Sequence, residues 1–228
     1  MVSKTARFLV LLFLTVFIFS WTGVEGQNRD ASLWTSVGFE AKLVKRLSVN
    51  ISQEFRFNEN ISELGTAFTD AGMTYKLNKY FQVAANYRFT QKRRTDNYYS
   101  FRHRFYVDIK YSKKLKPFEI SIRSRLQDQY ADIGRASDGG VPEYYLRNKL
   151  KLNWDTKKAY SPYLSIELFS PLAYPHDIAF DNIRSSAGIE YAFTKHQKAD
   201  LYYMIQKELN VSSPKTDFIV GLGYYYKL

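Results

Sequence analysis

The 228-residue chain contains no cysteine. That absence excludes disulfides, thiolate metal sites and lipid attachment at a cysteine. Histidine is scarce, with only His103, His176 and His196, and no paired-histidine metal motif, glycine-rich phosphate loop or nucleotide fingerprint is present. The sequence therefore points to no cofactor. Beyond residue 26 there is no apolar run of the roughly 20 residues that a helix needs to cross a bilayer. Any membrane insertion of the mature chain must be by strands.

What is present begins with an export leader. Lys4 and Arg7 supply a positive start, Phe8 to Phe19 is an apolar run, and Val24 and Gly26 sit where a signal peptidase takes small side chains. The run is too short for a membrane anchor. The chain thus divides into a signal peptide, 1–26, and one domain, 27–228. Loss of Lys4, Arg7 and Glu25 with the leader lowers the formal charge from +11 to +10. A basic envelope protein has anionic lipid head groups, lipopolysaccharide phosphates or anionic substrates as natural partners, whereas nucleic acid suits an exported chain poorly.

The organising pattern is clearest from Leu47 to Asn58. Leu47, Val49, Ile51, Phe55 and Phe57 take one parity, and Ser48, Asn50, Ser52, Glu54 and Arg56 take the other. Successive side chains of a strand point to opposite faces, so this is a strand with one apolar and one charged face. The pattern recurs over Ser32 to Val44, Thr66 to Leu77, Tyr80 to Gln91, Tyr98 to Ser112, a strand from Phe118, Glu143 to Trp154, Ser161 to Phe169, Asn182 to Phe193, a strand through Leu201 to Ile205, and Thr216 to Leu228. Connections alternate short and long, the long ones starting at Glu59, Lys92, Asp128, Ser170 and Asn210. Tight turns alternating with longer loops are the habit of outer-membrane barrels. The strands number about eleven, whereas bacterial single-chain barrels carry an even number. A missed strand would give twelve; demotion of the first strand or of strand eight would give ten.

The fold expected is all-β: an antiparallel up-and-down transmembrane β-barrel of ten to twelve strands, in a Gram-negative outer membrane, assembled by the barrel-assembly machinery. No amphipathic helix is available to cover a soluble sheet of such long strands. Lipid then takes the apolar face, and the lumen receives Glu40, Glu54, Arg56, Asp70, Arg88, Arg102, Arg104, Asp108, Glu119, Arg123, Arg125, Arg147, Glu167, Arg184, Glu190 and Glu208. Near-equal numbers of both signs predict an ion-pair network in which each charge finds a partner. The functional alternative is an arginine ladder that selects anions. At the end of the chain, GLGYYYKL places Gly223, Tyr226 and Leu228 where a C-terminal barrel-insertion signal has a glycine and two apolar or aromatic residues; Leu222 and Leu228 depart from the preferred polar residue and terminal Phe.

WTSVGFEAKL, LSVNISQEFRFN, FTDAGMTYKL, ANYRF, the FRHRFYVDIKY and RSRLQDQ pair, and RSSAGIEYAF followed by LYYMIQKEL resemble an uncharacterised outer-membrane β-barrel family known only as a domain of unknown function. The resemblance spans essentially the mature chain. It implies a barrel and no known activity, so no catalytic residue is carried over.

Two other functions compete with a structural, binding or narrow-pore barrel. A lipid-modifying enzyme of the outer membrane would need a histidine as base for a nucleophile. His103 falls on the lipid-facing parity, but no serine is placed beside it by sequence. His176 and Asp177 share a long loop, yet one histidine and one carboxylate do not make a zinc set; His196 lies in a short turn. The basic loop Lys92 to Asn97 could meet lipopolysaccharide phosphates, although charge runs are commonly just solvated. The second competitor is a soluble periplasmic β-barrel with an apolar ligand inside. Ligand, lumen width and oligomeric state are not written in the sequence.

Overall fold

The computed structural model describes residues 29–94, 98–131, 143–172 and 180–228; the leader, 1–26, lies outside these residues. Eleven strands run β1 (Arg29–Val44), β2 (Leu47–Asn58), β3 (Glu63–Lys76), β4 (Phe81–Arg93), β5 (Tyr99–Leu115), β6 (Phe118–Ala131), β7 (Glu143–Trp154), β8 (Tyr160–Pro171), β9 (Asn182–Ala192), β10 (Gln197–Glu208) and β11 (Thr216–Lys227). Each pairs with its sequence neighbour, and β1 pairs with β11, so the sheet closes into a barrel. No helix occurs among the described residues.

The even strand count does not hold. Consecutive strands are antiparallel, so with eleven of them the first and last run in the same direction. They close as a parallel ladder from Arg29↔Thr216 to Glu40↔Lys227. The first strand and strand eight are both full members of the barrel. Odd closure also puts the two ends of the sheet at opposite rims: β1 starts at the rim that carries the longer loops and β11 ends at the rim of the tight turns.

Several loop boundaries shift: β4 runs on to Arg93 and β8 to Pro171, and the larger changes are at β6 and between β2 and β3. Asp128, expected to open a loop, continues β6, which runs to Ala131. The β2–β3 connection is only 59–62, because the Asp30 carboxylate accepts the backbone N–H groups of Glu59 at 3.1 Å and Asn60 at 2.8 Å. Glu59, Asn60 and Ile61 all take positive φ, a conformation that L side chains adopt only when surrounding contacts hold it. Asp30 supplies that hold.

Burial follows strand parity in the sense opposite to a soluble protein. Met73, Phe105 and Leu126 on the outer face are 58%, 54% and 54% exposed, while Asp70, Arg125, Arg147 and Glu167 on the inner face are 7%, 7%, 6% and 5% exposed. Outer-face polar residues satisfy one another: Thr69 donates to Gln53 at 2.5 Å and Ser124 lies 2.8 Å from Asn148. Near the closing seam the inner wall is glycine, at Gly38, Gly221 and Gly223, beneath the Tyr202 and Tyr225 rings. A Cβ on Gly221 would fall on the Tyr202 ring. Bare backbone there lets two tyrosines lie against the wall.

Candidate functional site

The inner residues nearest the loop rim line an open cavity of about 480 Å³. Strands β2 to β10 line it, and β1 and β11 do not. Its ionisable wall consists of ten cations, Arg56, Arg88, Lys92, Arg102, Arg104, Arg123, Arg125, Arg147, Lys149 and Arg184, against three carboxylates, Asp70, Glu143 and Glu167. Strand alternation delivers all of them to one side, because each stands an even number of residues from its neighbours on the same strand. The chamber is therefore strongly cationic.

Four aromatic rings organise five of the arginines. The Arg125 guanidinium lies 3.8 Å from the Tyr106 ring centre, and Arg88 lies 6.0 Å from the same ring and 3.6 Å from Phe68. Arg56 follows, 4.8 Å from Phe68 and 3.6 Å from Trp34. Arg184 lies 5.2 Å from Trp34 and 4.6 Å from Phe169, whose other neighbour is Arg147 at 4.2 Å. Arg147 and Arg125 are then register partners across β6 and β7, so the sequence of guanidinium and ring closes on itself through residues of β1 to β9. Stacking on a ring uses the face of a guanidinium and leaves its in-plane donors for hydrogen bonds.

Those donors are only partly used by carboxylates. Arg88 grips Asp70 in two bonds of 2.9 and 2.7 Å, and Arg125 grips Asp108 at 2.7 and 2.8 Å. Tyr106 adds a bond to Asp70 at 3.0 Å. Glu167 joins Arg123 at 2.6 Å and Arg147 at 2.9 Å, and Glu54 holds Arg56 at 2.6 Å. Here the expected pairing of every charge fails. Among the described residues Lys92, Arg102, Arg104, Lys149 and Arg184 have no carboxylate within 4.0 Å. Arg104 and Arg184 bond instead to the neutral side-chain oxygens of Gln129 and Gln206. Among the arginines and carboxylates expected in the lumen the signs balance, but they are segregated along the barrel.

Toward the turn rim the inner face carries direct ion pairs. Glu190 takes Lys151 at 2.6 Å and Lys198 at 3.1 Å, Tyr163 donates to Asp200 at 3.2 Å, and Lys151 also lies 3.7 Å from the Tyr163 ring. Glu40 meets Lys227 at 2.7 Å and Glu119 lies 4.0 Å from Lys114. None of these residues lines the cavity. Glu208, at the loop rim, accepts the Lys215 backbone N–H at 2.9 Å. Of the C-terminal trio, Gly223 lies on the inner wall under Tyr225, Tyr226 packs outside against Phe39 with ring centres 6.3 Å apart, and Leu228 is exposed, its N–H 2.8 Å from the Glu40 carbonyl.

The histidines are distributed as follows. His103 is on the outer face, its Nδ1 at 2.7 Å from the Tyr87 hydroxyl, and among the described residues no serine is bonded to it. His196 sits in a turn with Nδ1 2.7 Å from the Lys227 carbonyl. His176 and Asp177 lie outside the described residues, as do 95–97 of the basic loop; Arg93, from the start of that loop, pairs with Glu63 at 2.6 Å. Among the described residues no group of three or more His, Asp or Glu side chains could hold a metal.

A sorting of apolar from charged residues passes over the lumen aromatics Phe68, Tyr106, Tyr163 and Phe169. Their parity with Asp70, Asp108 and Glu167 is the signal that assigns them to the inside.

Together these features define a class: closed antiparallel β-barrels with an apolar exterior and an ionic interior. Residues 31–216 match the family described as Protein of unknown function (DUF2490). The chain belongs to that family. Among solved structures it is similar to the β domain of the Bordetella autotransporter BrkA, with TM-score 0.51 and 11% identity over 75% of this chain and 78% of that one. At that identity the likeness is one of fold. No curated protein matches the sequence.

Proposed function

We propose that the mature chain is an integral outer-membrane β-barrel whose lumen is an anion-binding chamber rather than a wide channel. The observation that carries the membrane assignment is the outer belt of aliphatic and aromatic side chains, from Val37 and Phe39 on β1 round to Val220 and Leu222 on β11. Leaving one such side chain in water costs roughly 1.5–3 kcal/mol relative to burial. A belt repeated on every strand suits lipid. The same sidedness argues against a soluble barrel with an apolar ligand inside, since the interior is ionic. The paired layer of Lys151, Glu190, Lys198, Tyr163 and Asp200 between the chamber and the turn rim supports binding over free passage.

The test is envelope fractionation followed by migration of unboiled and boiled protein on a detergent gel. Recovery with the outer membrane and slower or faster migration on boiling is the expected result. Recovery in the soluble periplasm contradicts it. Planar-bilayer conductance separates chamber from pore: steady large conductance would contradict the chamber.

A further inference from the structure

We infer that the chamber takes a soluble anion of the phosphate class bearing two or more negative charges, held by Arg102, Arg104, Lys149 and Arg184. This rests on the reading of the lumen as a binding chamber and specifies its ligand.

The register supplies the first reason. Arg104 stands directly opposite Arg88, and Lys149 directly opposite Arg123. Like charges facing across a ladder are unfavourable, and, unlike the opposed Arg125 and Arg147, neither Arg104 nor Lys149 has a carboxylate of its own among the described residues. An anion between them converts the repulsion into attraction.

The second reason is how these cations are positioned. Gln129 and Gln206 hold Arg104 and Arg184 through neutral oxygens, the latter at 2.7 Å, which fixes each guanidinium without neutralising it. The Nε donors of Arg102 and Arg123 are buried with no acceptor among the described residues. A buried donor without a partner is costly, and phosphate oxygens are acceptors matched to the guanidinium fork.

Size and lining select a soluble source over a lipid head group. A cavity of about 480 Å³ is of small-molecule size. Its apolar lining residues are Phe68, Phe169 and Met204, and arginines already lie over both phenyl rings. Little apolar surface remains for acyl chains. Multiple charge on the ligand follows from the five uncompensated cations facing Glu143, the one lining carboxylate that holds no cation.

The experiment is isothermal titration of inorganic pyrophosphate into the purified mature barrel in detergent, after heat-modifiable migration has established closure of that preparation. Lipid A in the same detergent and chloride at matched ionic strength are the comparators. The expected result is one pyrophosphate per barrel, with Kd at least tenfold weaker in the closed double variant Arg104→Gln, Arg184→Gln and unchanged when Lys45 and Arg46 in the β1–β2 turn are replaced by Gln. Lys149→Gln, as a single change, provides a second reading should the double variant not close. A closed wild-type barrel that binds no pyrophosphate, or binds it equally after the substitutions, overturns the inference alone. Tighter binding of lipid A than of pyrophosphate overturns the soluble source. Failure of the wild type to show heat-modifiable migration overturns the barrel reading beneath it.

Discussion

Arg125 and Arg147 face each other across the β6–β7 ladder, and each is held by a carboxylate from a different strand, Asp108 on β5 and Glu167 on β8. The pair closes the circuit of five guanidiniums and four rings. Carboxylates approach this circuit from the flanking strands, so the opposition of two cations is tolerated where each has its own partner. Arg104 and Lys149 are opposed in the same way without such partners, and that contrast separates the structural charges of the lumen from those open to a ligand.

Glu167 is the test of the structural half. It joins Arg123 and Arg147 within 2.9 Å, and its replacement by Gln leaves two enclosed guanidiniums without their shared counter-charge. Breaking a buried pair costs about 3–5 kcal/mol. Glu167→Gln is therefore expected to lower the temperature at which the unboiled form converts on a detergent gel, whereas an unchanged conversion temperature would mark the pair as solvated.

The ligand-facing half predicts the opposite sign. Removal of a charge that faces a like charge relieves roughly 0.2–1 kcal/mol of repulsion. In ligand-free detergent, Arg104→Gln and Lys149→Gln should each be at least as stable as the parent while losing anion affinity. A marked loss of stability would assign both residues to the scaffold.

At the seam the critical feature is space. Tyr202 lies where a Cβ on Gly221 would sit, so Gly221→Ala forces the ring or the strand to move, and overpacking of this kind costs typically 1–3 kcal/mol. Combination with Tyr202→Ala should recover most of that loss. Equal destabilisation by the single and double variants would show that the glycine serves the backbone and not the ring.

Parallel closure is directly accessible because the chain lacks cysteine. Thr35 and Leu222 are register partners on the outer face, and strand neighbours stand about 4.8 Å apart, within reach of a disulfide. Cysteines at these two positions should cross-link within one chain, and cysteines at Thr35 and Gly221 should not. The reverse preference would shift the register by one residue and turn one strand inside out.

Much of this barrel is legible in the strand alternation. Ile51, Phe55, Phe105 and Leu126 announce the outer face, and Asp70, Arg88, Arg125 and Glu167 announce the inner one. The strand count of eleven is equally legible, and only the even-number habit of bacterial barrels argued it away; the parallel seam that permits it leaves no local mark on Arg29–Val44 or Thr216–Lys227. The arginine–aromatic circuit is hidden for a different reason. Trp34, Phe68, Tyr106 and Phe169 share parity with charged residues, but their meeting depends on register set by closure and by bulges such as that between Arg56 and Phe57. Charge segregation is likewise a property of height in the barrel, which composition averages away.

The account stands on which solvent each face meets, and spin labels on single cysteines along β6 measure that directly. Labels at Ile122, Ser124 and Leu126 should collide with dissolved oxygen and be shielded from a water-soluble paramagnetic chelate, while labels at Ser121 and Gln127 should be shielded from oxygen. Free access of the chelate to Ile122, Ser124 and Leu126 would place the apolar belt in water and contradict the membrane barrel.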